Sequence, residues 1–289
     1  MKAEELINYQ GPDRVVHWEE YLAEQKKKGQ THRKLNLGFT WLNEKLGGLQ
    51  SGDVVNITGF KKNGKTLFAH SIIRNLSVCN ENANPIVFYF ETKPEVMMEN
   101  WPKEVPTPVF IPLQLKAMDF GWLVDRCLEA KLKYRTNVVL IDHLHYQVDM
   151  NTHQNMSLNI GAFMRRLKLD LAIGLNMSVL LIAHQGQPKK GEEASADSMR
   201  DSSFIAQEAD STIVVSRAKN YDEVEIHDFE NRCQDPRKIE LLRAAHAKPD
   251  VLDDFSAGLA IVKVDDNRRT GAYRAKKLYI KQGDFLEEL

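Results

Sequence analysis

Short, nearly continuous apolar runs alternate along the chain with longer segments whose apolar residues recur at helical spacing. Runs of this kind are typical of parallel strands that are buried on both faces. The predicted strands are residues 54–58, 86–90, 109–111, 138–141, 179–183 and 213–215, and the predicted helices are residues 67–76, 123–134, 158–175 and 236–246. The alternation indicates an α/β domain with a mostly parallel, twisted sheet and helices on both faces.

Two regions of the chain carry further elements. Residues 259–264 and 277–280 predict a C-terminal β-hairpin, and a long charged insert, residues 218–258, precedes it. Residues 1–34 are polar except for an amphipathic stretch at residues 15–22. Two interpretations of residues 1–34 remain open at this stage: a short amphipathic helix followed by a linker, or a frayed, solvated tail.

Composition narrows the class of protein. The chain has 289 residues, of which 43% are hydrophobic and 27% are charged, with a formal net charge of -1. This balance excludes a globally basic, nucleic-acid-coating protein, so any nucleic-acid contact must come from a local patch. Cys79, Cys127 and Cys233 show no metal-ligand spacing, and the chain begins with acids where a signal peptide needs an apolar stretch. We therefore expect a soluble protein of the cytoplasm, or of an organelle matrix or phage-infected cell, with no membrane partner.

One segment carries a complete phosphate-binding motif. Residues 59–66, GFKKNGKT, match the pattern G-x-x-x-x-G-K-[ST] between a predicted strand and a predicted helix. Glycines let successive backbone N–H groups point at phosphates, and the start of a helix favours an anion. Lys65 places a positive charge between the outer phosphates, and Thr66 supplies a hydroxyl for Mg²⁺. The predicted nucleotide-binding residues are Gly59, Phe60, Lys61, Lys62, Asn63, Gly64, Lys65, Thr66 and Leu67.

Two acids stand at the carboxyl ends of predicted strands, where ligands bind in α/β folds. Asp142 follows the strand at residues 138–141 and is the expected Mg²⁺ partner alongside Thr66. Glu91 follows the strand at residues 86–90 and can orient and deprotonate a water beside the γ-phosphate. Spacing alone leaves a second interpretation of Glu91 equally open, an ordinary exposed acid at the end of a strand.

Several segments beyond the phosphate loop follow one family pattern. They are residues 37–42 (LGFTWL) and 47–53 (GGLQSGD) for its lead-in, 90–91 (FE) for its "SLEM" motif and 141–144 (IDHL) for its "IDYL" motif. On these segments residues 35–289 resemble the RecA-like ATPase domain of DnaB-type replicative helicases, including phage helicase–primases and the mitochondrial helicase Twinkle. The glutamate of the family motif is the catalytic base, so the resemblance implies that role for Glu91.

Two segments further along the chain resemble the family's sensor and DNA-binding motifs. Residues 181–185, LIAHQ, resemble the strand end that senses the γ-phosphate, which implies that role for His184, with Gln185 as the fallback. Residues 199–210, MRDSSFIAQEAD, resemble the family's "LRESGAIEQDAD". The residues that this implies for gripping the backbone of single-stranded DNA are Arg200, Asp201, Ser202 and Ser203, the last of which stands where the family has glycine.

The predicted hairpin carries a further resemblance. Residues 267–271, NRRTG, resemble the family's "KNRFTG", which implies that Arg268 reaches across a subunit interface to the neighbour's γ-phosphate. Asp266 stands where the family has a lysine two residues before this arginine. Lys263 could replace that lysine only through a shift in the register of the hairpin.

The resemblance implies a DnaB-like helicase and translocase that uses ATP, or another NTP, with Mg²⁺ on single-stranded DNA during replication. It also implies a homo-oligomeric ring hexamer, with a primase or a loader protein as a partner. The near-neutral charge and Asp266 favour an alternative, a RecA-like accessory or recombination ATPase that does not unwind DNA. A third hypothesis is a nucleotide-gated binding module with little hydrolysis, for which the role of Glu91 is the discriminator.

Overall fold

The structure is a computed structural model that describes most of the chain. The described residues are 7–11, 14–27, 33–91, 93–99, 101, 109–148, 156–184, 203–217, 231, 233–246, 259–282 and 285–289. Internal contacts divide the chain into two units, Met1–Arg33 and Lys34–Leu289. The two units are described separately.

The described part of the first unit is built around one helix, α1 (Trp18–Lys27). Acids in its first turn and lysines in its last turn complement the helix dipole. Arg14 pairs with Glu20 and Glu24, which ties the preceding segment to the helix. No residue of α1 is buried, and Trp18 and Tyr21 are exposed. A helix therefore forms in this region, as the first of the two sequence interpretations expected.

The second unit contains the strands and the remaining helices. Its strands are β1 (Lys34–Leu35), β2 (Leu49–Gln50), β3 (Val54–Gly59), β4 (Pro85–Tyr89), β5 (Val138–Asp142), β6 (Ser178–His184), β7 (Ser211–Arg217), β8 (Leu259–Asn267), β9 (Tyr273–Gln282) and β10 (Phe285–Glu288). Its α-helices are α2 (Thr40–Leu46), α3 (Lys65–Cys79), α4 (Pro94–Glu99), α5 (Phe120–Tyr134), α6 (Met156–Arg166), α7 (Ser203–Glu208) and α8 (Pro236–His246). A 3-10 helix (Leu144–Tyr146) follows β5, and a π-helix (Leu167–Ile173) continues α6.

The main sheet has eight strands in the order β10-β9-β8-β7-β3-β6-β5-β4. Strands β7, β3, β6, β5 and β4 are parallel, and β8, β9 and β10 extend the sheet with antiparallel pairing. We call the end of the sheet where β3 to β6 finish the carboxyl edge, and the opposite end the amino edge. Strand β8 runs against β7, so it finishes at the amino edge, where Asn267 pairs with Ser211.

Apolar residues on both faces of the sheet explain the continuous apolar runs in the sequence. Every residue of β3, β4 and β5 is buried. One face packs against α3 through side chains that include Phe68, Ile72 and Leu76. The other face packs against α5 and the α6 segment through side chains that include Leu123 and Met164. The sheet therefore lies between two helical layers, as the sequence predicted.

The structure corrects one predicted strand. Residues 109–111 do not form a strand, because only Phe110 pairs, in a single bridge to Ile86. Phe110 donates to the Pro85 carbonyl and accepts from the Val87 N–H, after which Pro112 has no N–H to continue the ladder. Strands β8 and β9 are longer than the predicted hairpin strands, and β10 extends the hairpin to a third strand.

The charged insert contains the one helix expected there. Helix α8 begins at Pro236, and the side chain of Asp235 accepts a hydrogen bond from the Arg237 N–H at 3.0 Å. Residues 218–230, 232 and 247–258 of the insert lie outside the described residues. Among the helices that the structure describes, none combines the length and the hydrophobicity needed to cross a bilayer.

Candidate nucleotide-binding site

The loop between β3 and α3 carries the predicted phosphate-binding residues, and its shape is fixed by its neighbours. Gly59 has a φ of 149°, and a Cβ there would lie 2.1 Å from the carbonyl oxygen of Val215 on β7. Lys62 and Gly64 also have positive φ angles, of 65° and 85°. Arg217 donates a hydrogen bond to the carbonyl of Lys62 at 2.8 Å. Only glycine fits the first position, and the loop turns into the start of α3 as phosphate binding requires.

Lys65 is a buried ammonium group at the start of α3. Its side chain is 4% exposed, and Nζ donates to the Phe60 carbonyl of the phosphate loop at 2.8 Å. Burial lowers the pKa of Lys65 to about 8, against the opposing attraction of Glu91 and Asp142. A desolvated cation held beside a loop of backbone N–H groups is a site prepared for an anion.

Asp142 is fully buried at the end of β5. Burial and the neighbouring charge of Glu91 raise the pKa of Asp142 to about 7, and the Thr66 hydroxyl and Lys65 oppose this rise. Within the described part of the chain, neither carboxylate oxygen has a hydrogen-bond partner of good geometry. A buried carboxylate without a partner is energetically costly, so Asp142 is poised for a ligand rather than for the fold.

Glu91, His143 and His184 meet at the carboxyl edge, beside the phosphate loop. Glu91 Oε2 lies 3.4 Å from His143 Nε2 and 3.4 Å from His184 Nε2. The Glu91 side chain is 38% exposed, whereas His143 is buried. The two imidazole rings are 4.2 Å apart between centroids. The predicted catalytic base and the predicted sensor are therefore neighbours in one cluster.

Both histidines of this cluster are neutral at neutral pH. Burial is the main cause that lowers the pKa of His143, to about 3, and that of His184, to about 4. The Nδ1 atom of His184 is buried and has no hydrogen-bond partner among the described residues. His143 Nδ1 lies 3.3 Å from the backbone nitrogen and 3.2 Å from Nδ1 of His145. Neutral imidazoles can donate to Glu91 or offer it a neighbouring lone pair, but they add no positive charge.

Sequence reasoning missed the roles of His143 and His145. The available signal was the pair of histidines immediately after the strand that ends at Asp142, in the segment IDHLH. The peptide bond between Asp142 and His143 is cis. Strand β5 lies between β4 and β6, so the residues that follow it come between Glu91 and His184.

Arg268, the other predicted catalytic residue, lies at the amino edge. It is exposed, and its backbone N–H donates to the carbonyl of Asp210, just before β7. The neighbouring Arg269 pairs with Asp53 at 2.5 Å, which fixes the turn against the start of β3. The carboxyl edge is about 15–20 Å away at the rise of a β-strand. Arg268 is therefore out of reach of the phosphate loop in its own chain.

The structure places the other residues of the predicted hairpin and DNA motifs as follows. Asp266 is exposed, and Lys263 is buried in β8 and paired with Asp265 at 2.8 Å. Lys263 pairs with Lys276 in the regular β8–β9 register, so the shift needed for it to stand in for the family's lysine does not occur. Ser203 begins α7. Arg200, Asp201, Ser202 and the fallback sensor Gln185 lie outside the described residues.

The residues at the carboxyl edge fit a bound magnesium ion. Mg²⁺ prefers oxygen ligands, and the buried, partnerless carboxylate of Asp142 lies near the Thr66 hydroxyl. Thr66 and Asp142 are thus the residues that would hold Mg²⁺ together with nucleotide phosphates. The ion supplies neutralisation of phosphate charge when it is bound.

Comparison with known proteins identifies the fold. No family model and no curated protein sequence matches the chain. One solved structure of a helicase-type ATPase domain is similar over 95% of this chain and 99% of that domain, with a TM-score of 0.68 and 14% sequence identity. A structure of a DnaB-like replicative helicase and its interactions with primase is similar over 99% of this chain and 70% of that one, with a TM-score of 0.64 and 14% identity. The chain has the RecA-like fold of DnaB-type ATPase domains, which confirms the predicted fold class.

Proposed function

We propose that the protein is a DnaB-like, ATP-dependent translocase and helicase that acts on single-stranded DNA in replication. One observation carries the proposal: the nucleotide site is divided between the two edges of one sheet. Lys65, Glu91 and His184 gather at the carboxyl edge, whereas Arg268 is exposed at the amino edge. A head-to-tail assembly brings these two edges of neighbouring subunits together, as a ring of identical chains requires.

Each group at the divided site has a defined task. Lys65 holds the outer phosphates, and Glu91 orients and deprotonates the attacking water. Thr66 and Asp142 hold Mg²⁺ against the nucleotide. Arg268 of a neighbouring subunit stabilises the charge that develops on the γ-phosphate.

The DNA contact is proposed for Arg200, Asp201, Ser202 and Ser203. The segment that contains them is joined at one end to His184, the last residue of β6, and at the other end to α7. After α7, Asp210 accepts a hydrogen bond from the Val54 N–H at 2.7 Å and pairs with Lys168 at 2.6 Å. A change at the γ-phosphate sensor is thus linked through the chain itself to the proposed DNA-binding residues. A primase or loader protein is the partner class that belongs to this proposal.

The test is ATP turnover with and without single-stranded DNA, combined with unwinding of a forked duplex. We expect stimulation by DNA that Arg200→Ala abolishes, because a phosphate contact is lost. Arg126→Ala, on the partly exposed surface of α5, is the matched control and should leave stimulation unchanged. Turnover that is indifferent to DNA, together with no DNA binding, contradicts the proposal.

Asp266 supports a second candidate, an accessory or recombination ATPase that does not unwind. An acid stands exposed where the helicase family has a lysine, and Lys263 does not replace that lysine. Mass photometry with a non-hydrolysable nucleotide separates the candidates. A closed hexamer supports the helicase, and a monomer or filament supports the accessory ATPase.

A further inference from the structure

Three side chains at the carboxyl edge bring nitrogen and oxygen ligand atoms together in a way that nucleotide binding does not require. Glu91 Oε2 lies 3.4 Å from Nε2 of both His143 and His184. One ligand atom from each of the three residues lies within 4.8 Å of the other two. Among the residues that the structure describes, no other group of histidine, cysteine and acid side chains meets this condition.

The distances match metal coordination better than direct hydrogen bonding. A hydrogen bond between a ring N–H and a carboxylate is usually about 2.7–3.0 Å long. Zinc bonds to nitrogen and oxygen of about 2.0–2.1 Å, at tetrahedral angles, separate neighbouring ligand atoms by about 3.3 Å. Both distances from Glu91 are 3.4 Å, so an ion fits between these atoms with little movement of the side chains.

The chemistry of the three groups selects the kind of ion. Two imidazoles and one carboxylate favour Zn²⁺ over Mg²⁺, which prefers oxygen ligands only. His143 and His184 are neutral, so each has a lone pair for a metal. His143 Nδ1 lies 3.2 Å from His145 Nδ1, to which it can donate its proton when Nε2 coordinates. Partly exposed Glu91 gives access from solvent, and a water can take the fourth position.

We propose that Glu91, His143 and His184 form a zinc-binding site that switches the ATPase off. An ion on Glu91 occupies the lone pair with which this carboxylate takes a proton from water. Zinc and catalysis therefore compete for the same oxygen atoms, and a chelator restores turnover. The binding site stands on the geometry alone, whereas the inhibition rests on the proposed function of Glu91 as the base.

The binding experiment uses the full chain without nucleotide. Zn²⁺ is titrated in competition with a chromophoric chelator, and Co²⁺ absorption reports the coordination geometry. We expect one ion per chain with a tetrahedral Co²⁺ spectrum, and affinity about 100-fold or more weaker in His143→Ala, His184→Ala and Glu91→Gln. His17→Ala, an exposed histidine in the first unit, should bind as the parent does.

Two outcomes overturn the site: no stoichiometric binding in the parent chain, or binding that survives all three substitutions. Circular dichroism checks the folding of each variant, and partly exposed Glu91→Gln provides a test if the histidine variants unfold. ATP turnover with added Zn²⁺ then tests the switch. Zinc binding in a chain without ATPase activity contradicts the proposed function and leaves the site in place, whereas DNA-stimulated turnover without zinc binding does the reverse.

Discussion

The two edges of the sheet treat their charged residues in opposite ways. At the carboxyl edge, Lys65 and Asp142 are buried, and burial shifts the pKa of each group towards its neutral form. At the amino edge, Lys168 pairs with Asp210 at 2.6 Å, and Arg269 pairs with Asp53 at 2.5 Å.

This difference separates residues that bind a ligand from residues that hold the fold. A buried charge without a good partner costs stability and persists where a ligand supplies the partner. A charge that is already paired and hydrogen-bonded fixes the ends of strands and turns. The paired residues at the amino edge hold the turn that presents Arg268 to solvent.

The largest expected effect is on turnover, and it comes from the amino edge. Arg268→Ala should reduce kcat by about 10³-fold or more, as expected for loss of an arginine that acts on the γ-phosphate. Nucleotide affinity should stay within about 2-fold, because Arg268 does not reach the phosphate loop of its own chain. Saturating ATPase rates and fluorescent-nucleotide binding measure the two quantities. Arg274→Ala in the same hairpin is the control, and equal losses in both variants contradict the account.

Lys65→Ala should weaken nucleotide binding by about 100-fold or more, because the outer phosphates lose a charge-assisted partner. Lys168→Ala changes a lysine that is equally well bonded but lies at the amino edge, so affinity should stay within about 2-fold. Isothermal titration with a non-hydrolysable nucleotide distinguishes the two. Tight binding by Lys65→Ala removes the basis for a phosphate site.

Asp142→Asn should stabilise the nucleotide-free chain at pH 8. The pKa of Asp142 is raised to about 7 in the folded chain from an ordinary 3.8, so its contribution to stability is full below pH 3.8 and is lost as the pH rises through about 7. Removing the charge should raise the free energy of unfolding by on the order of 2–4 kcal/mol at pH 8, and by little near pH 4. Denaturant unfolding at the two pH values measures this. Asp210→Asn should instead destabilise, and a loss of stability in both variants contradicts the comparison.

Lys168→Ala should lower the free energy of unfolding by about 1–3 kcal/mol, because Lys168 donates to both Asp210 and the Gly52 carbonyl. The control is Arg165→Ala, whose pair with Glu208 is more exposed and should contribute about 0–1 kcal/mol. Urea unfolding provides both values. Equal effects would mean that pairing at the amino edge adds little to the fold.

Local sequence patterns were sufficient for the parallel core and the phosphate loop. Strands β3 and β5 are buried on both faces, so their apolar runs are visible without tertiary information. The phosphate loop depends on glycine and lysine at fixed spacing, which is likewise a local property.

Contacts between distant segments could not be predicted in the same way. Strand β10 is held by Ser71 Oγ, which accepts the Leu286 N–H at 2.7 Å, and by Glu288, which accepts the Trp41 N–H at 3.1 Å. Its own sequence is short and acidic and carries no strand signal. The cluster of Glu91, His143 and His184 depends on the order β6-β5-β4 in the sheet, which no single segment encodes.

The most direct test of a site divided between two chains is complementation by mixing. Glu91→Gln keeps a functional Arg268, and Arg268→Ala keeps a functional Glu91, so an interface that takes the intact edge from each should hydrolyse ATP. With random mixing of equal amounts, about one interface in four is complete in a head-to-tail assembly. We predict that the mixture regains turnover in the presence of single-stranded DNA while each variant alone stays inactive. A mixture that is no more active than its separate components would contradict the divided site.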